Sequence, residues 1–264
     1  MMKRLLIFAA LLLPLAAGAQ DFEFGARASA GVDVKLRKGL HLNVEEEVRA
    51  TLDGFDSFRS SAGLTYKVNK YLKFGGGYVL INSFDTDDSA FDAPRHRFYA
   101  DATGSYRIGL FHLSLRERIL YTLRTGSFNV YQNTPGQYAL RSRVGVKYKG
   151  IRYTEPYAFF DVKTLLNEPW GEIYGNPATS ESGKAYYKYV HSGYTHVYNS
   201  RYRLGIGVDF SLYGGHELSP FILLDYCSNY KIDTNADGTR LYTATTGWTD
   251  TICPSLGVSY KYNF

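Results

Sequence analysis

The sequence has little cysteine, tryptophan or methionine and no long apolar run beyond its first residues. It contains two residues of each of these types in 264. Two cysteines are too few for a disulfide scaffold or a zinc site. No stretch after Leu15 approaches the roughly 20 apolar residues that a membrane-spanning helix needs. These absences exclude a disulfide-rich domain and a helical membrane protein.

The charge balance is also too small to indicate a nucleic-acid partner. The formal net charge is +5, and removing Lys3 and Arg4 with the first 19 residues leaves +3. Those 19 residues predict a secretory signal peptide, with a cationic start, an apolar run Leu5–Leu15 and small residues before cleavage after Ala19. The remaining chain, 20–264, is predicted to be one domain.

What the sequence does have is aromatic residues in strict alternation with polar ones. It contains 24 Tyr, 16 Phe and 26 Gly. In the closing stretch, Leu256, Val258, Tyr260, Tyr262 and Phe264 share one face of a predicted strand. The same pattern predicts strands at about 22–36, 40–52, 58–68, 71–82, 95–107, 111–123, 138–148, 153–163, 200–212, 217–229 and 252–264.

The length of these runs predicts a membrane-spanning barrel. Most are longer than strands of soluble sheets, and about 9–11 residues cross a bilayer when tilted. The predicted fold is all-β, a transmembrane antiparallel up-and-down β-barrel of 10–12 strands. The count of eleven runs conflicts with the even number of strands that is usual in single-chain bacterial barrels. Either 22–36 is not a full wall strand, or Ala185–His196 within 164–199 supplies a twelfth.

The connections alternate between short and long, as in outer-membrane barrels. Short turns are predicted at 37–39, 69–70, 107–110, 149–152 and 213–216, and long loops at 83–94, 124–137, 164–199 and 230–251. The terminal aromatic strand resembles the assembly signal of such barrels. We therefore predict the outer membrane of a Gram-negative bacterium as the location, with its lipid bilayer and the barrel assembly machinery as partners.

A repeated Arg-x-Arg pattern places many charges on the polar face, because residues two apart on a strand point the same way. The predicted lumen-lining cations are Arg49, Arg59, Arg95, Arg97, Arg107, Arg116, Arg118, Arg141, Arg143, Arg201 and Arg203. The predicted lumen-lining acids are Glu45, Glu47, Asp101, Glu155, Asp161, Asp209 and Asp225. These residues predict either a lattice of ion pairs that fills a narrow barrel or an anion-preferring passage.

The sequence has a set of short charged motifs along its predicted strands. These motifs are EEEVR (Glu45–Arg49), Arg95-His96-Arg97, Arg116-Glu117-Arg118, Arg141-Ser142-Arg143, Glu155-Pro156-Tyr157 and Arg201-Tyr202-Arg203. In these motifs the sequence resembles the exported barrels grouped as domain of unknown function 2490. The resemblance covers nearly all of the mature chain. It implies the barrel fold and the outer-membrane location. It implies no chemistry.

Two acids break the alternation, and two cysteines share a face. Glu46 and Glu117 have lipid-facing parity, which predicts a local bulge, a protonated carboxyl or a contact within the bilayer plane. Cys227 and Cys253 have lumen-facing parity on strands predicted to be neighbours, so the sequence predicts a disulfide between them.

Signals for catalysis and metal binding are weak. His112 and Ser114 share a face but lack a third orienting group, and no Gly-x-Ser-x-Gly occurs. The spacing of His191 and His196 fixes no metal geometry. The segment 233–238 matches half of a calcium loop, although its residues also favour a turn. We predict no enzyme activity, no cofactor and no metal.

The sequence therefore predicts a small porin-like barrel for pore or transport function, with a small solute as its ligand. A structural or surface-interaction barrel that displays long outer loops is the alternative. An outer-membrane lipid-modifying enzyme is a third possibility.

Overall fold

The computed structural model describes residues 21–85, 89–180 and 182–264, so the predicted signal peptide lies outside the described residues. The described chain forms one closed sheet of eleven long strands. They are β1 (Gly25–Arg37), β2 (Leu40–Thr51), β3 (Gly54–Lys67), β4 (Leu72–Asp85), β5 (Arg95–Ile108), β6 (Phe111–Arg124), β7 (Gly136–Tyr148), β8 (Thr154–Thr179), β9 (Ala185–Ser211), β10 (His216–Lys231) and β11 (Gly247–Asn263).

In the part of the chain that the structure describes, three short strands, Asp21–Phe22, Ala90–Phe91 and Arg240–Tyr242, accompany the wall. A 3-10 turn occupies Tyr213–Gly215. Among the described residues, no helix has the length and apolarity to cross a membrane.

Each strand pairs antiparallel with the next, and β1 pairs parallel with β11 to close the barrel. The parallel pairing follows from the odd strand number, because the first and last strands of an odd meander run in the same direction. The predicted range of 10–12 strands is confirmed, but both ways of reaching an even number are wrong. The first run is a full wall strand, and 185–196 is the upper part of β9.

The segment 164–199, predicted as a loop, is mostly strand. β8 and β9 continue through it, and their pairing shifts register at several points between Lys163 and Ala178. Each bulge moves the following residues to the opposite face, which hid the alternation. β8 pairs with β7 no further than Leu165. Beyond that residue the β8–β9 hairpin continues past the wall as a ribbon, and the short strand Arg240–Tyr242 pairs with its β9 side at Tyr186–Lys188.

The outer face of the wall is apolar. On β6, the outward residues Phe111, Leu113, Leu115 and Ile119 are exposed, and Tyr121 stacks against Tyr138 of β7 at 4.7 Å between ring centroids. Ten steps of a tilted strand separate Phe111 from Tyr121, a height of roughly 25 Å. This height matches the apolar band of an outer-membrane barrel.

The two ends of the barrel differ as the connections predict. The turns 38–39, 68–71, 109–110, 149–153 and 212–215 lie at one end. At the other end, the segments 125–135 and 232–246 pack together. The side chain of Asn129 donates to the carbonyl of Thr234 at 3.3 Å, and that of Gln132 donates to Asp233 at 3.1 Å. These two loops therefore form one folded cap.

The predicted turn at 235–238 is confirmed. Gly238 has a φ of 68°, and the Asn235 side-chain oxygen accepts from the amides of Thr239 and Arg240 at 3.0 and 2.9 Å. Thr239 donates its hydroxyl and its amide to Asp237, and these hydrogen bonds lower the pKa of that carboxyl. The side-chain oxygens of Asn235 and Asp237 in the calcium-like segment thus stabilise the turn itself.

The predicted disulfide is not formed, since both cysteines are free thiols. They lie on the neighbouring strands β10 and β11, but Cys227 is opposite Thr251 and Cys253 is opposite Asp225. The two positions are therefore offset by two residues along the ladder, although their side chains approach each other.

The parallel seam yields a cross-linking prediction. Ser29 of β1 and Ser259 of β11 are directly paired, and their hydroxyl oxygens are 2.9 Å apart. In a background with both native cysteines changed to Ser, the pair Ser29→Cys and Ser259→Cys should form a disulfide under mild oxidation. Denaturing gels run with and without reductant would measure it.

The control is the pair Ser29→Cys and Ser255→Cys, because Ser255 pairs with Gly25, four residues away. Four residues along a strand are roughly 13 Å. Efficient cross-linking of this control pair, or none at 29 and 259, would contradict the parallel seam.

Candidate functional site in the lumen

The strand register brings the predicted lumen charges together in continuous rows. In one row, successive partners from β5 to β10 are Thr103, Arg116, Arg143, Asp161, Arg203 and Asp225. Neighbouring strands are about 4.8 Å apart, so long side chains of adjacent members can reach each other. From Arg143 to Asp225 the row alternates between arginine and carboxylate groups, whereas Arg116 lies beside another arginine, Arg143.

Asp161 of β8 is the centre of the largest charge cluster and has no exposed surface. Its Oδ2 accepts from Arg141 Nη2 at 2.5 Å and from Arg143 Nη2 at 2.7 Å. Arg201 approaches Oδ1 at 3.8 Å, and this oxygen has no hydrogen-bond partner among the described residues. One buried carboxylate thus holds arginines from two flanking strands.

Asp225 of β10 organises a second cluster. Arg203 donates from Nε to Oδ1 at 2.5 Å and from Nη2 to Oδ2 at 2.6 Å, and Arg27 reaches Oδ2 at 3.3 Å. This two-point contact is the strong form of an arginine–carboxylate pair. Further ion pairs between lumen-facing groups join Arg118 with Asp101, Arg49 with Glu47, Lys147 with Asp209 and Glu155, and Lys149 with Glu155.

Glycines let aromatic rings lie flat against the inner wall beneath arginines. A Cβ at Gly205 would collide with the Phe159 ring, and Arg143 lies over that ring at 3.8 Å from its centroid. Likewise, a Cβ at Gly63 would collide with Tyr99, and Arg118 lies 4.1 Å over that ring. Because the rings are fixed between glycine and guanidinium, they hold these arginines in place.

Several lumen cations have no carboxylate within salt-bridge distance in the described chain. Arg97 donates to the hydroxyl of Thr122 at 3.0 Å, and Arg95 donates to Ser83. Arg59 and Arg116 each leave a buried Nε without a partner. Arg107 departs from the prediction, since it is exposed at the short-turn end and donates to the carbonyl of Gly109 at 3.0 Å. Its place at the strand end explains the difference.

The described residues line a smaller and a larger cavity within the barrel. The smaller, about 200 Å³, is lined by Arg27, Arg49, Arg201, Arg203 and Asp225 on the long-loop side. The larger, about 710 Å³, extends toward the short turns. It is lined by eight Lys or Arg residues (Lys67, Lys70, Lys73, Arg116, Arg143, Lys147, Lys149 and Lys261) and three acids (Glu45, Asp209 and Glu217). The larger cavity is therefore strongly basic.

The sequence analysis did not select several of these residues. Arg27, Lys73, Lys147 and Lys261 carry the same lumen-facing parity as the selected charges, so alternation alone would have found them. Thr103 is buried in the row of charges but is neutral. Nothing in the sequence distinguishes it from other threonines.

The lipid-facing acids Glu46 and Glu117 are exposed on the outer face, within a regular ladder. The predicted bulge at these positions is therefore wrong. Each carboxylate accepts a hydrogen bond from the serine directly opposite, Ser60 at 2.7 Å and Ser142 at 2.6 Å. A cross-strand hydroxyl thus partly satisfies each carboxylate on the apolar face.

The candidate catalytic and metal residues either lie apart from the charge clusters or form hydrogen bonds and aromatic contacts with other residues. Ser114 donates to the carbonyl of Gly145 at 3.5 Å, although it lines the larger cavity with His112. His196 packs on Trp170 at 4.6 Å, and His191 packs on Tyr131 at 5.4 Å. In the ranges that the structure describes, no three His, Cys, Asp or Glu residues are grouped to hold a metal ion.

The chain belongs to the family described as protein of unknown function DUF2490, whose model matches residues 24–226. No curated protein matches the chain. Among solved structures, it is similar to the outer-membrane expressed OmpT of Vibrio cholerae, with 10% identity and a TM-score of 0.34. That match covers 80% of this chain and 61% of the OmpT chain. The barrel is defined by its own strand pairing.

The contact between Gly205 and Phe159 gives a stability prediction. Gly205→Ala should destabilise the barrel by about 1–3 kcal/mol, because the added Cβ displaces the ring and the arginine above it. Gly104→Ala is the control, since a Cβ there meets nothing within 4 Å. Urea titration in detergent, followed by the gel mobility of unheated samples, would measure both. Equal stability of the two variants would contradict the proposed packing.

The Asp161 cluster gives a second stability prediction. Asp161→Asn should cost about 3–5 kcal/mol of unfolding free energy, because it leaves buried guanidinium charges without their carboxylate. Glu217→Gln is the control, since Glu217 lines the larger cavity and forms no salt bridge with the described residues. It should change stability by less than about 0.5 kcal/mol. The same urea titration would measure both variants. If Asp161→Asn left the free energy of unfolding unchanged, these arginines would be solvated instead.

Proposed function

We propose that this protein is a pore- or transport-type barrel of the Gram-negative outer membrane whose lumen favours small anionic solutes. The fold is of the outer-membrane type, and the family itself carries no assigned activity. We propose no catalytic role. The signal peptide and the closing aromatic strand support export and insertion by the barrel assembly machinery.

The charge of the larger cavity is the observation that carries this proposal. Of its eight cations, Arg143, Lys147 and Lys149 are held by carboxylates. The other five, including Lys67 and Lys70 at the short-turn end, have no carboxylate within salt-bridge distance among the described residues. Such surplus positive charge attracts anions and repels cations.

Passage through the barrel requires movement in its middle. Asp161 is buried between Arg143, which lines the larger cavity, and Arg203, which lines the smaller one. The arginines bound to Asp161 would have to exchange that carboxylate for the passing anion. This requirement favours slow, selective transfer over the large conductance of an open porin.

A surface-interaction role is supported by the projecting β8–β9 ribbon. Residues 172–179 of β8 are exposed, and this stretch has no partner on its outer edge in the described chain. Ile173 and Tyr174 are half exposed there. An exposed edge strand offers unpaired backbone groups to another chain.

Conductance across planar bilayers tests the pore proposal. Under a KCl gradient the purified protein should give small conductance steps and a reversal potential that indicates anion preference. Changing Lys67, Lys70 and Lys261 together to Gln should reduce that preference, because three unpaired charges leave the larger cavity. Single-channel recording measures both quantities.

The control is Lys184→Gln, which removes a charge from the tip of the β8–β9 ribbon, outside the barrel. It should leave the reversal potential unchanged. Cation preference, or no conductance from a protein that remains folded, would reject the pore function and leave the surface role.

A further inference from the structure

Three lumen residues on consecutive strands form a row of hydrogen-bond donors. Lys73 of β4 pairs with Thr103 of β5, which pairs with Arg116 of β6. All three line the cavity of about 710 Å³. Two strand spacings separate Lys73 from Arg116, a distance of roughly 10 Å between backbones. Their long side chains can therefore converge over the short side chain of Thr103.

These donors have no acceptor in the described protein. Thr103 is 7% exposed, and its hydroxyl forms no hydrogen bond. The Nε of Arg116 is also buried without a partner. Neither Lys73 nor Arg116 has a carboxylate within salt-bridge distance among the described residues. Buried polar groups are normally paired, because an unpaired one costs about 1–3 kcal/mol.

The nearest carboxylates are committed to other arginines. Asp101 accepts two hydrogen bonds from Arg118, at 2.8 and 2.5 Å. Asp161 is held by Arg141 and Arg143. The ammonium of Lys73 lies within electrostatic range of three cations, Arg116, Lys261 and Arg118, and of one carboxylate, Asp101, which Arg118 already holds. The row therefore combines surplus positive charge with unused donors.

The geometry assigns this row as a binding site for a tetrahedral oxyanion of the phosphate or sulfate class. The Arg116 fork would hold two oxygens, Lys73 would supply a compact charge, and the Thr103 hydroxyl would donate to a further oxygen. This assignment rests on the proposed anion pathway and names the point where the anion is held. Lys67 and Lys70 lie between this site and the short-turn end of the cavity.

Calorimetric titration of the purified barrel with inorganic phosphate, at constant ionic strength in chloride, tests the site. Phosphate should bind saturably and more tightly than acetate, which presents fewer oxygens. Thr103→Val keeps the size and charge and removes the hydroxyl, so affinity should fall about tenfold or more. Thr103→Ser should restore it. Arg116→Gln should abolish binding.

Lys184→Gln is the matched control, because it removes a lysine charge at the tip of the β8–β9 ribbon, away from the linings of both cavities. It should change phosphate affinity less than about twofold. Unheated gel mobility would verify that every variant is folded. Absence of saturable binding, or equal affinity in wild type, Thr103→Val and Lys184→Gln, would overturn the site.

Reversal potentials on the same preparations separate this site from the pore function. A barrel that prefers anions but does not bind phosphate overturns the site alone. A barrel that binds phosphate through Thr103 and Arg116 but shows no anion preference supports the site and overturns the pore.

Discussion

Closure of the sheet along the parallel β1–β11 seam is the constraint on which the rest of the structure depends. An open edge in hydrocarbon would leave a row of backbone groups unpaired, each costing several kcal/mol. The seam runs from Gly25 opposite Ser255 to Asp33 opposite Asn263. The amide of Phe264 then donates to the carbonyl of Asp33 at 2.8 Å. The terminal aromatic residue is thereby held at the end of the wall.

Closure with eleven strands also sets the width of the lumen and hence its electrostatics. Barrels near this size are narrow enough for side chains to fill the interior. Charges inside must be paired or hydrated, and one carboxylate can serve several guanidinium groups when strands are this close. Asp161 and Asp225 both do so. Because the lumen contains fewer acids than cations, some cations have no carboxylate partner and the interior keeps a net positive charge.

Alternation predicted much of the wall from the sequence. For regular strands such as β5 and β6, the predicted bounds differ from the structure by one residue. The prediction failed where bulges interrupt the pattern, as in β8 and β9 beyond Lys163. It also failed to place Cys227 and Cys253, because pairing across a long loop depends on a register that the loop does not reveal.

Individual pairings within the site were less predictable than the face on which each residue lies. Parity places Arg116 and Arg143 in the lumen, but it does not show that Asp161 binds one and leaves the other unpaired. That difference arises from three-dimensional competition for a limited number of carboxylates. Thr103 shows the same limit. Its hydroxyl can be recognised as an unpaired donor only once its neighbours and its burial are known.

The division of arginines into paired and unpaired groups links the interior to the proposed function. Arg143 is fixed by Asp161 on one side and by the Phe159 ring below it, while Arg116 on the adjacent strand has neither restraint. An anion held by Arg116 would thus lie beside a guanidinium that already has a carboxylate. Transfer inward from Arg116 then requires the anion to compete with Asp161 for Arg143. Because both ligands offer similar oxygens to the same fork, the exchange replaces one charge-assisted contact by another. Under the proposed function, Asp161 beside the unpaired Arg116 would therefore close the lumen at rest and still allow an anion to pass.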